Sequence, residues 1–75
     1  MMAKSVHRYI SELLEAYHKY TQKTFTEMAL DFDITLSNLY QYRNGRGNPT
    51  AETIDRIVNG VEANCPRAFE ETSKW

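Results

Sequence analysis

Apolar positions recur along this chain at the three- and four-residue intervals of an α-helix. Val6, Ile10, Leu13 and Tyr17 share one helical face, Leu14 widens it, and Ser5 stands ahead as a cap, so a first amphipathic helix is predicted from residue 5 to about 20. Thr21-Gln22-Lys23 makes a polar break. Thr24 and Glu27 then form a Thr-x-x-Glu capping box, in which the hydroxyl takes an amide three residues on and the carboxylate takes the threonine's own amide. A second, short helix therefore starts at Thr24, with Phe25, Met28, Ala29 and Phe32 on its apolar face. Asp33, a residue type that tolerates left-handed backbone, is its stop. Thr35 caps a third helix running to about Asn44, with Ile34 packing ahead of it and Leu39 and Tyr42 on its inner side. Gly45 ends that helix. After the loop Gly45-Arg46-Gly47-Asn48-Pro49, Thr50 caps a fourth helix bearing Ile54, Ile57, Val58 and Val61, expected to end between Gly60 and Asn64. Pro66 suits the first position of a last short helix through Glu71, with Phe69 as its apolar anchor. No alternating strand pattern remains, so the fold class is all-α, with residues 1–75 as a single domain.

Composition narrows the chemistry. A chain of 75 residues buries only about 60% of the surface its unfolded form exposes, so the core is small. The lone Cys65 makes neither an internal disulfide nor a structural zinc site, and it reads as a half-buried structural thiol. No metal or other cofactor is expected. His7 and His18 lack carboxylate or cysteine partners at ligand spacing and read as surface histidines. The pairs Glu12 with Glu15 and Glu70 with Glu71 read as solvated faces. No nucleophile stands with a base and the chain is too short to enclose a substrate pocket, so no catalytic residue is assigned and an enzyme is not expected. No apolar run approaches the ~18 residues of a membrane span, and the start lacks a signal-peptide pattern. A soluble cytoplasmic protein is the expectation.

The net charge of -1 is unusual for a nucleic-acid binder, but charge is unevenly spread. Between Ile34 and Ala51 there is no Asp or Glu, whereas Arg43 and Arg46 lie there. From Glu52 onward Glu52, Asp55, Glu62, Glu70 and Glu71 outnumber Arg56, Arg67 and Lys74. One stretch is free of negative charge, as a surface facing a polyanion requires.

That stretch contains the third helix. At about 100° per residue, Gln41 and Asn44 fall within about 40° of Ser37 and Tyr40 within about 60°, while Thr35, Leu39 and Tyr42 lie opposite. The outward face is thus Ser37, Tyr40, Gln41 and Asn44, flanked by Leu36 and Asn38. Two short helices joined by a tight turn, the second with polar groups outward, suffice to place side chains in the major groove. Gln41 can pair bidentately with adenine, Ser37 can bond almost any base edge and Leu36 can meet a thymine methyl. Tyr40 has two readings, DNA contact or cover for its helix. Arg46, between two glycines, can approach phosphate. Lys23, Thr24 and Thr26 sit where the amides of the second helix attract a phosphate, alongside their plainer capping role.

The run Phe25 to Gly45, FTEMALDFDITLSNLYQYRNG, followed by Gly47-Asn48-Pro49-Thr50, resembles the Cro/C1-type (XRE-like) helix-turn-helix family of phage and prophage repressors over roughly residues 5 to 63. The matching positions are small Ala29 at the helix crossing, apolar Met28, Ile34, Leu39 and Tyr42, the helix-ending Gly45, and Asn-Pro-Thr before the fourth helix. The family usually has glycine in the turn, where this chain has Asp33, and often an acid where it has Arg43, which removes a negative charge beside DNA. The resemblance implies a five-helix lambda-repressor-like domain with its helix-turn-helix at about 24–44. It implies a transcriptional regulator, a Cro-like repressor binding a palindromic double-stranded DNA operator as a homodimer, in a bacterial or phage-infected cell at the nucleoid.

The combined expectation assigns base readout to Leu36, Ser37, Asn38, Tyr40 and Gln41, and phosphate contact to Lys23, Thr24, Thr26, Asn44, Arg46 and Asn48. Dimerisation is expected from the C-terminal segment, with its helix at about 66–72, through Phe69 and Trp75, which have few intrachain partners in prospect. A regulatory protein partner fits the absence of a sensor segment. The competing reading, kept open by the mild negative charge, is a protein-interaction module such as an antirepressor or antitoxin-like partner using the same fold.

Overall fold

The computed structural model describes residues 5–73, which fold into α1 (Val6–Thr21), α2 (Phe25–Phe32), α3 (Leu36–Arg43), α4 (Ala51–Asn64) and α5 (Pro66–Thr72). No strand occurs among the described residues. Trp75, expected at a dimer surface, lies outside them.

Local chemistry sets the helix boundaries. Ser5, Thr24, Thr35 and Thr50 each accept a bond from the amide three residues on, at 3.2, 3.2, 3.1 and 3.2 Å. At Thr24 the box is closed, because Glu27 Oε1 accepts the Thr24 amide at 2.9 Å. Two helices stop on left-handed residues, α1 at Gln22 (φ 60°) and α2 at Asp33 (φ 55°). Asp33 behaves as expected of its short polar side chain; Gln22 is a residue whose type does not announce it.

α1 is the central element and packs on α3, α4 and α5, while α2 packs on α3 and α4. Its stripe Ile10, Leu13, Leu14 and Tyr17 is buried against Met28, Ala29 and Phe32 of α2, Leu39 and Tyr42 of α3, Ile57 and Val61 of α4 and Ala68 of α5. Helical spacing marked most of these positions as inward. Val6, expected on the α1 stripe, is instead 53% exposed, because it is the first residue of its helix and stands beyond the edge of the core. α4 ends at Asn64, within the expected range, and passes through Gly60, whose missing side chain admits the Phe32 ring: a Cβ there would stand 2.7 Å from Phe32 Cδ1. On α5 the buried residues are Ala68 and Thr72, with Phe69 half-buried against the core edge. Phe69 thus has intrachain partners that the sequence did not foresee.

Candidate nucleic-acid interface

α2 and α3, each of eight residues, are joined by the turn 33–35. The turn is tight: the Asp33 amide bonds Leu30 O at 3.2 Å and the Ile34 amide bonds Ala29 O at 3.0 Å. Burial of Leu39 and Tyr42 orients α3, so Ser37, Asn38, Gln41 and Asn44 face outward together with Leu36 and Tyr40. This is the expected face, and it holds no carboxylate. Tyr40 is not free-standing: its ring meets Phe25 edge-on, with centroids 5.3 Å apart.

The loop after α3 folds back against this face. The Gly45 amide bonds Tyr42 O at 3.0 Å and the Arg46 amide bonds Gln41 O at 2.7 Å. Gly45 (φ 74°) and Gly47 (φ 79°) both take left-handed backbone, which glycine adopts without a Cβ clash. At Gly47 space matters as well, because a Cβ would come within 3.0 Å of Gln41 Oε1 and 3.1 Å of the Tyr42 ring. The loop thus lies beside the Gln41 carboxamide, with Arg46 and Asn48 exposed on either side of Gly47.

The cations of the region divide. Arg46 is exposed and makes no ion pair among the described residues. Arg43 is turned inward. Its Nε is 2.9 Å from Glu15 Oε1 on α1, and its guanidinium covers the Phe25 ring at 5.1 Å. The Nε–H is buried and not aligned with any acceptor, so the contact with Glu15 is one of charge rather than a directed hydrogen bond. The positive charge expected from Arg43 on the DNA side is therefore largely neutralised from behind, and Arg46 carries it.

Lys23 is also engaged. Its Nζ lies 2.6 Å from Asp31 Oδ2 and 3.4 Å from the Tyr17 hydroxyl, which itself donates to the same Asp31 oxygen at 2.8 Å. The bonds to Asp31 and Tyr17 raise the Lys23 pKa. Burial pushes the Asp31 carboxyl up, but the bonds from Lys23 and Tyr17 and the lysine charge outweigh it and leave its pKa below the ordinary value. Burial, then the bond to Asp31, raises the Tyr17 pKa. Thr24 and Thr26, for which phosphate contact was expected, are exposed at the start of α2. There, however, the Glu27 carboxylate already occupies the Thr24 amide, and that bond lowers its pKa. A negative charge thus stands where a phosphate was expected.

Two contacts from α1 to this region were missed by the sequence reading. His7 Nε2 is 2.7 Å from Gly47 O, and Ser11 Oγ donates to Arg43 O at 2.5 Å. The four-residue spacing places His7, Ser11 and Glu15 on one face of α1, but spacing does not say what that face meets. His18, expected at the surface, is half-buried, stacked on Phe25 at 4.7 Å, with Nδ1 2.8 Å from Lys23 O.

Elsewhere the surface of the described residues has open hollows. One of about 490 Å³ lies between α1 and α5 beside Glu12, Glu15, Lys19 and Glu71, and one of about 410 Å³ lies beside Tyr20, Arg67 and Glu70. Neither adjoins the outward residues of α3. The described residues contain no cluster of three or more metal-ligating side chains, and none of their helices is long and apolar enough to cross a membrane. Comparison with known proteins finds no matching family model, no curated relative and no matching solved structure.

Proposed function

We propose that this protein is a sequence-specific regulator of transcription, a helix-turn-helix repressor of the Cro/C1 type, which binds a palindromic DNA operator as a homodimer and blocks transcription by occupancy. The observation that carries the reading is the division of α3 into a buried side, Leu39 and Tyr42, and an exposed, carboxylate-free polar side that continues into the Arg46 loop. An α-helix is about 10–12 Å across with its side chains, and the major groove is about 12 Å wide, so the exposed side of α3 can enter the groove. Gln41, Ser37, Asn38 and Leu36 then face base edges. Arg46 and Asn48, with Asn44, contact phosphate and fix the register. Thr24 and Thr26 are left out of the contact set because the Glu27 carboxylate stands at the start of α2, and Lys23 serves the protein's own Tyr17–Asp31 network. Phe69, partly exposed on α5, is the apolar group proposed to meet a second copy.

Selection of bound fragments from random duplex DNA tests the proposal. The expected product is an inverted repeat with half-site centres about 34 Å, or ~10 bp, apart, bound with a steep salt dependence from released counterions. Failure to enrich any sequence overturns the reading. It would favour the protein-interaction alternative, for which Leu30, 77% exposed on α2, is the supporting observation.

A further inference from the structure

His7, Ser11 and Glu15 stand one above another on α1, as residues four apart do on a helix, and all three reach the same stretch of chain. His7 Nε2 is 2.7 Å from Gly47 O, Ser11 Oγ is 2.5 Å from Arg43 O, and Glu15 Oε1 is 2.9 Å from Arg43 Nε. A carbonyl oxygen only accepts, so the His7 Nε2 carries a proton directed at the loop. Arg43 ends α3, where carbonyls lack partners within the helix, and the Ser11 hydroxyl supplies one. The segment 43–47 is thus tied at both ends to the longest helix of the protein, with Asn44 and Arg46 between the ties and Asn48 directly after them.

We propose that the stripe His7-Ser11-Glu15 is a clamp that sets the position of the loop after α3, with His7 as its positioning residue. The proposal rests on the DNA reading above, because the groups it holds in place are the proposed phosphate contacts Arg46 and Asn48. A loop with two left-handed glycines has much conformational freedom to lose on binding. Bonds already formed in the free protein remove part of that loss in advance. His7 is exposed and outside the core, so its bond to Gly47 governs the loop and not the fold. His7 acts through the loop backbone, since its Nε2 is bonded to Gly47 O.

The test compares His7→Ala, His7→Gln and Ser11→Ala in the full chain. The readouts are affinity for the selected operator and for random duplex, hydrogen exchange of the Gly45 and Arg46 amides, and thermal unfolding. Loss of one such bond is expected to weaken binding to both duplexes about 3- to 10-fold. Exchange of the two amides should quicken, with the melting temperature of His7→Ala close to the parent's. His7→Gln, which keeps a side-chain N–H donor, should recover most of the affinity and slow the exchange again. Unchanged amide exchange in both alanine variants overturns the clamp, as does a glutamine variant indistinguishable from alanine in every readout. A parent protein that binds no duplex overturns instead the DNA reading and the phosphate role that depends on it, while loop exchange still decides whether the clamp exists.

Discussion

The Phe32 ring of α2 fills the space that a side chain at position 60 of α4 would need, since an ideal Cβ on Gly60 would stand 2.7 and 2.9 Å from its Cδ1 and Cε1 atoms. Glycine inside a helix costs roughly 1 kcal/mol relative to alanine. Here the close approach of α2 to α4 explains its presence, and with it the seating of the helix that precedes the α2–α3 turn.

Gly60→Ala is therefore expected to destabilise the protein by about 1 kcal/mol net, because overpacking a core contact typically costs 1–3 kcal/mol against the helix-propensity gain. In a domain of this size that lowers the melting temperature by roughly 4–8 °C. A melting temperature at or above the parent's would mean that Phe32 moves aside freely.

Gln41 and Arg46 should separate sequence reading from positioning. Gln41→Ala is expected to cost about 1–3 kcal/mol on the best operator and to flatten preference at one symmetric pair of base positions, with the salt slope nearly unchanged. Arg46→Ala should weaken operator and random DNA by similar factors and reduce the log–log salt slope by about 1 per subunit. Isotherms on both duplexes at several salt concentrations check this. Two variants that bind every duplex as the parent does would remove α3 and its loop as the DNA-contacting surface.

Lys23→Ala and Arg46→Ala should differ in kind. Lys23 is bonded to Asp31 and Tyr17, so its loss should lower the melting temperature and leave the salt slope of DNA binding in place. Arg46, without an ion pair among the described residues, should do the reverse. A reduced salt slope in the Lys23 variant would return that ammonium to the DNA surface.

Stability should fall on the acid side as two carboxyls are protonated. Glu27 and Asp31 have folded pKa values below their ordinary 4.5 and 3.8. Their contribution is therefore present above the ordinary values and is lost as pH drops through the folded ones. Tyr17 and Lys23 have raised values, so their contribution is full below the ordinary 10.0 and 10.5 and is lost as pH climbs through the folded values. Urea midpoints across pH should show a plateau between these limits. In a variant carrying Glu27→Gln and Asp31→Asn, the acid shoulder should shrink while the alkaline one persists in part.

Removing residues 66–75 should unfold the chain rather than merely separate a dimer, because Ala68 and Thr72 of α5 are buried against the rest of the protein. Far-ultraviolet circular dichroism followed against temperature tests this through loss of cooperative melting. A truncated chain that melts like the parent would show α5 to be an appendage.

Much of this protein is decided over a few residues of chain. Ser5, Thr24, Thr35 and Thr50 cap helices because each hydroxyl reaches an amide three residues ahead, a distance that no distant contact alters. The inward positions follow from helical period, and so does the outward face Ser37, Asn38, Gln41 and Asn44. Asp33 ends α2 by its own backbone tolerance. Where two elements meet, local rules gave no answer. Gly60 has no evident reason to sit in a helix until Phe32 is packed on it, and Phe69 reads as an anchor with few partners until α5 is laid against the core. Lys23 and Arg43 read as charges available to DNA. Long flexible side chains take the nearest opposite charge in space, and only the tertiary structure brings Asp31 to one and Glu15 to the other. The bonds of His7 and Ser11 to the loop after α3 arise in the same way, because a donor's spacing on a helix is written in the sequence while the carbonyl it meets is placed by how the helices pack.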